Sequence, residues 1–532
     1  MKTTAPYEDR ADPPVVLPHW MVLCAGLVAA ALALLASRMS HPGVGPDAVA
    51  YIGVANSIRD GNGIGFWLEN PLVTWPPLWP MLIAAGTWLT RWRPDLVGLV
   101  INAGLLVGVA GAANAVAARV LRTRMLRLTM LVSLAISPLL VGLAVLVQTE
   151  VALTLFVLVV IVLILRYVED QATWNLVVAG LVTAVGFYIR YQALYVVPVF
   201  AAWLVLRAVV RSGPKTTGAW LAAIRDAAAY SLPAVLPAAV WILRNLSLDE
   251  PPLGPRFPSD VGLAQNVVGA LTTTFKFLTS IPDPPQVPAA LVTLVVLVAA
   301  VVWLGRRTAA SEPVGRGWGV RVMDAAAGPV GLLVVFTGGF TALMVLSRSV
   351  VGFDDLDIRL LAPCLVPTSI LFLRYVEVVF PAVPRMSRIA VAIVGIWLAA
   401  QAVVTFALVG PANNVLEDYG FNSPEAKAAS TSAALDAIPK GCVVYSNNAG
   451  DLYRSGFEAN LSPRKVEYKS DEPTDDLAEL EARLRDGEQG CLAWVEYSED
   501  SEFYSRDELR GVFDLEELGS ADGVVTYRIL TR

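Results

Sequence analysis

Apolar residues run through most of this chain in long unbroken stretches, without the alternation of a half-buried strand or the one-sided spacing of a soluble helix. Such stretches lie at about 21–37, 96–118, 128–147, 151–165, 175–189, 191–206, 227–243, 288–304, 323–346, 359–373 and 389–410. A helix of about 20 apolar residues crosses the hydrocarbon core of a bilayer. The pattern therefore predicts a polytopic α-helical membrane protein of about eleven transmembrane helices. The leader before the first stretch carries Glu8, Asp9 and Asp12 in place of a basic start, so that stretch reads as a retained span behind a cytoplasmic tail over 1–19. One more apolar segment, Pro77–Thr90, has 14 residues. That is too few for a crossing, and it reads as a helix lying in, or dipping into, the membrane interface.

The polar connections orient these spans. Those at Arg119–Arg127, Arg207–Arg225, Arg306–Arg321 and Arg374–Arg388 are rich in Arg, and basic connections stay on the cytoplasmic side. An even number of crossings must separate each from the next, which puts the amino terminus inside and the carboxyl terminus outside. Two long outer loops follow, 39–95 and 244–287, with short outer corners at 148–150 and 347–358. The chain then divides into a membrane module over 20–410 and an extracytoplasmic soluble α/β domain over 411–532.

Composition sharpens the division. Only 16% of the residues are charged, against about a quarter in soluble domains. The net charge of −6 conceals 25 acids against 12 Lys and Arg in residues 411–532, and 21 against 28 before them. Neither part is a nucleic-acid binder by charge. Two histidines, His19 and His41, exclude a His-rich zinc site. Arg outnumbers Lys 33 to 7 amid abundant Ala and Val, a composition of GC-rich bacteria, and the expected location is a bacterial plasma membrane.

The threading collects polar residues on the outer face: Asp47, Tyr51, Asn56, Glu150, Arg190, Tyr191, Arg244, Asn245, Arg256, Lys276, Arg348, Asp354, Asp355, Asp357 and Arg359. Any one Arg at a span end is accounted for by snorkelling to water. Several together, on the side where Arg should be scarce, suit capture of a phosphate. Carboxylates there suit proton abstraction from a hydroxyl, or the holding of a divalent cation. Asp47 and Tyr51 share a face of a short helix opened by Pro46 and closed by Gly61 and Gly63; Asp47 alternatively serves only as its cap. Glu150, at an outer corner, is either a second site carboxylate or a solvated acid. The run Gly61-Asn-Gly63-Ile-Gly65 lacks the preceding strand of a dinucleotide fingerprint and reads as a turn.

These residues carry a resemblance. The acid after the first span, Tyr51 four residues on, the helix ending in Gly61-Asn-Gly63, and Pro76-Pro77-Leu78 opening an interfacial helix are similar to the GT-C superfamily of membrane glycosyltransferases. The nearest likeness is to its protein O-mannosyltransferase and lipid A aminoarabinose-transferase branch. Thr149-Glu150, Arg190-Tyr191, Trp241-x-x-Arg244-Asn245 with Gly254-Pro255-Arg256, and Asp357-Ile-Arg359-Leu-Leu-Ala-Pro363 follow in the same order. Tyr419-Gly-Phe-Asn-Ser-Pro424 and Val444-Tyr-Ser-Asn447 look like the extracytoplasmic domain of bacterial members. The resemblance implies transfer of a sugar from a polyprenyl-phosphate donor to a glycan, lipid or protein acceptor at the outer membrane face. Asp47 would be the general base, Glu150 a second carboxylate, and Tyr51, Arg190, Tyr191, Arg244, Asn245, Arg256 and Arg359 substrate-binding residues, with Arg359 and the other outer Arg on the donor phosphate. Many relatives have a second acid directly after the first; here it is Ala48, which leaves any metal at that spot open. The alternative function is a transporter or flippase for a lipid-linked saccharide, which would want ionisable residues near mid-membrane.

In the tail, 424–436 reads as a helix capped by Ser423, Val443–Ser446, Lys465–Tyr468, Leu492–Tyr497 and Val524–Leu530 as strands, and 475–485 and 506–510 as helices. Cys442 and Cys491 are either a disulfide or two buried thiols in neighbouring strands. The tail shows no nucleophile–base pair, and its expected task is to shape the acceptor entrance or to bind a partner.

Overall fold

A computed structural model describes residues 17–38, 42–66, 70–212, 217–248, 250–310, 323–380, 384–410, 421–453, 456–498 and 501–532. Most of the expected amino-terminal tail, the head of the expected soluble domain at 411–420 and part of the third basic connection therefore lie outside the described residues.

Among the described residues, nine helical segments are long and apolar enough to cross a membrane, and the protein is a multi-pass membrane protein. In order they are α1 (His19–Ala36), α4 (Pro94–Val120), the pair α5 (Arg124–Ala135) and α6 (Pro138–Val145), α7 (Glu150–Asp170), α9 (Ala193–Ser212), α10 (Thr217–Leu246), and the helices Pro329–Arg348, Ala362–Val379 and Pro384–Val409. The other two expected crossings fall on shorter apolar stretches, α8 (Thr173–Ile189) and the apolar part of α12 (Gln286–Ala310). Lipid tails give helices no hydrophobic reason to associate, so close contact relies on small residues. Accordingly α1 buries Ala25, Ala29, Ala30 and Ala33, and α4 buries Ala103, Ala110, Ala113 and Ala117.

Two segments differ from the sequence reading, while loop 39–95 holds the two helices expected in it and adds a hairpin between them. The stretch 128–147 is not one helix: it breaks at Ile136-Ser137-Pro138, where the Ser137 hydroxyl caps Leu140. Loop 39–95 folds into α2 (Pro46–Arg59), a two-stranded hairpin of β1 (Gly65–Phe66) and β2 (Asn70–Pro71), and α3 (Leu78–Thr90). Loop 244–287 contains a 17-residue helix, α11 (Leu263–Thr279). Its buried face carries Asn266, Thr272 and Thr273 beside Ala270 and Phe277, and these polar positions hide the apolar period.

The carboxyl-terminal domain holds a five-stranded sheet of order β4-β3-β5-β7-β6, in which β3 (Val443–Ser446), β4 (Asn460–Leu461) and β5 (Gly490–Val495) are parallel. Strands β6 (Phe513–Ala521) and β7 (Val524–Thr531) close it antiparallel. Cys442 and Cys491 form a disulfide. Ser423 caps its helix as expected, but that helix stops at Ser430 and a 3-10 turn, Ala433–Ala437, follows. Lys465–Tyr468 is not a strand. Edge strand β6 was not foreseen because its apolar Phe513, Leu515 and Leu518 change register across a bulge between Glu517 and Gly519.

Candidate functional site

Asp47 stands in the first turn of α2 with its side chain one-fifth exposed. The start of α2 is set by a backbone exchange with the corner beyond α6: Gly43 N–H donates to Val145 O at 2.9 Å, and Val147 N–H donates to Gly43 O at 3.0 Å. That corner is held in turn by Asn102 of α4, whose amide donates to Leu146 O and Gln148 O at 2.7 and 3.0 Å. Since Thr149 and Glu150 follow directly, the same hydrogen bonds bring the head of α7 beside the head of α2.

Around Asp47 the chain assembles a charged cluster from remote segments. Arg359 Nη2 donates to Asp47 Oδ2 at 2.7 Å, and Trp75 Nε1 donates to Asp47 Oδ1 at 3.2 Å. The same guanidinium reaches Glu150 Oε1 through Nε at 3.3 Å and Asp354 Oδ2 through Nη1 at 3.4 Å. Arg190, in the corner after α8, donates to Glu150 Oε1 and to Thr149 Oγ1, both at 2.9 Å. Glu150 is 1% exposed, and its Oε2 has no hydrogen-bond partner. Leaving a buried carboxylate oxygen unbonded costs free energy. A buried ion cluster is also a poor way to gain stability. Both features mark the cluster as a candidate site.

Burial raises the Asp47 carboxyl above the ordinary carboxylate range, against the pull of Arg359 and Arg190, with Asp354 and Glu150 adding to the rise. For Arg359 burial opposes the charge, but Glu150, then Asp47, Asp354 and Asp357, more than offset it and raise its pKa. Tyr51, one turn along α2, is 2% exposed, and burial followed by the charge of Asp47 raises its phenol. It meets Trp75 edge-on, with ring centroids 6.3 Å apart.

A second lobe lies across the strip Leu72–Trp75. Tyr191 Oη donates to Val73 O and accepts from Trp241 Nε1, each at 2.7 Å. Arg244 stacks on Trp241 at 4.6 Å and donates to Leu72 O at 2.7 Å and to Asn245 Oδ1 at 2.9 Å. Asn245 is fully buried and donates to Pro252 O at 2.9 Å, so its amide braces the loop and does not face the opening. That loop closes over the strip: Gly254 has φ +79°, and a Cβ there would lie 2.8 Å from Thr74 Cα. Arg256 beyond it is exposed, with Nη1 donating to Pro255 O at 3.2 Å.

The residues singled out from sequence thus meet as two groups, Asp47, Glu150, Arg190 and Arg359 with Tyr51 behind them, and Tyr191, Arg244 and Asn245 with Arg256 at the rim. Trp75, Asp354 and Tyr468 belong beside them and were not among the site residues. Trp75 was legible only as part of its Pro-rich motif, Asp354 only as one of several outer acids, and Tyr468 not at all. No group of three or more His, Cys, Asp or Glu among the described residues is arranged to hold a metal ion. The room between Asp47 and Glu150 is filled by the Arg359 guanidinium, so this donor set does not fit a divalent cation.

Comparison with known proteins gives a consistent picture. Residues 74–241 match the family model described as dolichyl-phosphate-mannose-protein mannosyltransferase, a segment that includes Trp75, Glu150, Arg190 and Tyr191. No curated protein matches the chain by sequence. Among solved structures, ArnT from Cupriavidus metallidurans in the apo state is 12% identical with a TM-score of 0.56, over 95% of this chain and 97% of that one. The same protein bound to undecaprenyl phosphate aligns over 96% and 98%, again at 12% and 0.56. The arabinofuranosyltransferase AftD from Mycobacteria aligns over 98% of this chain and 40% of its own, at 13% identity and a TM-score of 0.52. Likeness at such identities is one of fold.

Proposed function

From a multi-pass membrane chain that has the GT-C fold and resembles the protein O-mannosyltransferase and aminoarabinose-transferase branch of that superfamily, we propose a glycosyltransferase. It moves a sugar from a polyprenyl-phosphate donor to an acceptor hydroxyl at the outer face of the membrane. The observation that carries this reading is the cluster of Asp47, Arg359, Glu150 and Arg190, which brings a carboxylate of raised pKa against two guanidinium groups.

Asp47 is the general base. The acceptor oxygen bonds to the anomeric carbon as its proton passes to the Asp47 carboxylate. The bond from that carbon to the phosphate oxygen breaks, its electron pair leaving with the polyprenyl phosphate, and direct displacement inverts the anomeric centre. A positioned base of this kind contributes about 10²–10⁴-fold. Arg256, exposed at the rim, and Arg244 and Tyr191 behind it bind the donor phosphate. Arg190 and Arg359 supply the positive charge that favours an anionic leaving group beside acids. The unbonded oxygen of Glu150 accepts from a sugar hydroxyl. The protein is set in a bacterial plasma membrane with this end outside. That side suits the disulfide and leaves the basic connections in the cytoplasm. The acceptor is a glycan, lipid or protein hydroxyl.

The test is purified protein in lipid nanodiscs with a panel of polyprenyl-phosphate sugars and extracts of envelope glycan, lipid and protein acceptors. Release of free carrier together with labelled acceptor is the expected result. Movement of a lipid-linked saccharide across the bilayer without carrier release would replace the enzyme by a flippase.

A further inference from the structure

The soluble domain reaches into the charged cluster. Residues 465–474 form a short finger: Glu467 N–H donates to Glu472 O at 2.8 Å, Thr474 N–H donates to Lys465 O at 3.1 Å, and the tip turns at Lys469, φ +53°. Backbone contacts seat that tip on the membrane module. Asp260 N–H donates to Lys469 O at 3.3 Å. Gly352 lies so close beneath that a Cβ would sit 2.4 Å from the same oxygen. From the tip, Tyr468 Oη donates to Asp354 Oδ1 at 2.6 Å. The other oxygen of Asp354 accepts from Arg359, which holds Asp47. Four side chains thus run in series, Tyr468, Asp354, Arg359 and Asp47, starting in one domain and ending at the base in the other.

Resting on the function proposed above, we infer that Tyr468 is a positioning residue by which the soluble domain sets the basicity of Asp47: its hydroxyl occupies Asp354 and so leaves Arg359 to Asp47. Burial, then the charge of Asp354, keeps that hydroxyl protonated as a donor. Its O–H dipole points its positive end at Asp354 and offsets part of the negative potential there. Without it, Asp354 draws more strongly on Arg359, and both effects favour the protonated form of Asp47. The charged and titratable groups facing Asp47 are Tyr51 on its own helix, Glu150 and Arg190 from the neighbouring corners, Arg359 and Asp354 from the loop before helix Ala362–Val379, and Tyr468.

The test uses full-length protein in nanodiscs and two variants of opposite sign. Tyr468→Phe moves the acid limb of carrier release to higher pH by roughly half to one unit, so the loss grows to about 3- to 10-fold as pH falls. Asp354→Asn removes a negative charge and moves the limb to lower pH. A readout independent of turnover is the carboxyl stretch that Asp47→Asn deletes from infrared difference spectra, titrated in each background. Shifts of opposite sign in that titration support the inference even in a protein that transfers no sugar, a result that would sink only the function. An Asp47 titration unmoved by both variants, or moved in the same direction by both, overturns it. Should Tyr468→Phe fail to fold, Tyr468→Met, which likewise lacks the hydroxyl, takes its place, and a limb that does not rise refutes the inference.

Discussion

The two ends of the helix bundle use the same residue types for opposite ends. Glu150 opens α7 and Glu169 nearly closes it, so the two acids lie ~28 Å apart at 1.5 Å per residue. At the far end, Arg119 grips Glu169 with two hydrogen bonds of 2.7 and 3.0 Å. Arg127 donates to the carbonyls of Leu121 and Ala118. Glu377 accepts from the backbone N–H groups of Arg122 and Thr123 at the head of α5 and pairs with Arg374. Those contacts close helix ends and tie neighbours together. At the near end, Arg190 and Arg359 turn their guanidinium groups to side chains gathered from remote segments, and one buried carboxylate oxygen stays unbonded. The difference is between charge that fastens helices and charge gathered into one cluster, where the proposed function would set the substrate.

Substitutions at the two ends probe that contrast. The largest effect is expected from Asp47→Asn, which keeps the side chain's shape and lowers transfer about 10²–10⁴-fold, as measured by carrier release. Arg359→Gln at the same end lowers transfer roughly 100-fold, the size of losing one charged donor from a reacting site. Arg256→Ala, at the exposed rim, raises the KM for the lipid donor about tenfold, with thermal unfolding unchanged because the side chain is not packed. At the far end the order inverts. Glu377→Ala strips two N–H groups of their acceptor and costs about 1–3 kcal/mol of stability, seen as a lower unfolding midpoint, while transfer stays at the wild-type rate.

Much of the bundle was legible from apolar run length alone, because a bilayer demands continuous apolar helices wherever the chain crosses it. The collection of Asp47, Glu150, Arg190 and Arg359 at one end was legible too, since basic connections fix the sidedness of each corner. Their mutual contacts were not. Arg359 meets Asp47 across 312 positions of sequence, and nothing local to either residue announces the other. Asn102, which holds the corner before Glu150, sits amid the apolar residues of α4 and carries no motif. Lys465–Tyr468 was misread as a strand because its alternation of charged residues with Val466 and Tyr468 looks alike in a strand and in a finger whose tip is anchored on another domain. β6 was missed because the bulge between Glu517 and Gly519 shifts the register of its apolar positions.

In the proposed function Asp47 takes the acceptor's proton. The most direct test is the pH dependence of carrier release by the wild type and Asp47→Asn, measured side by side with saturating acceptor. A base works only when deprotonated, so the wild-type rate should climb with pH through a limb above the ordinary carboxylate range, as the burial of Asp47 requires. In the variant that limb should vanish along with most of the rate. The same limb persisting in Asp47→Asn, or a variant turning over as fast as the wild type, would contradict the account.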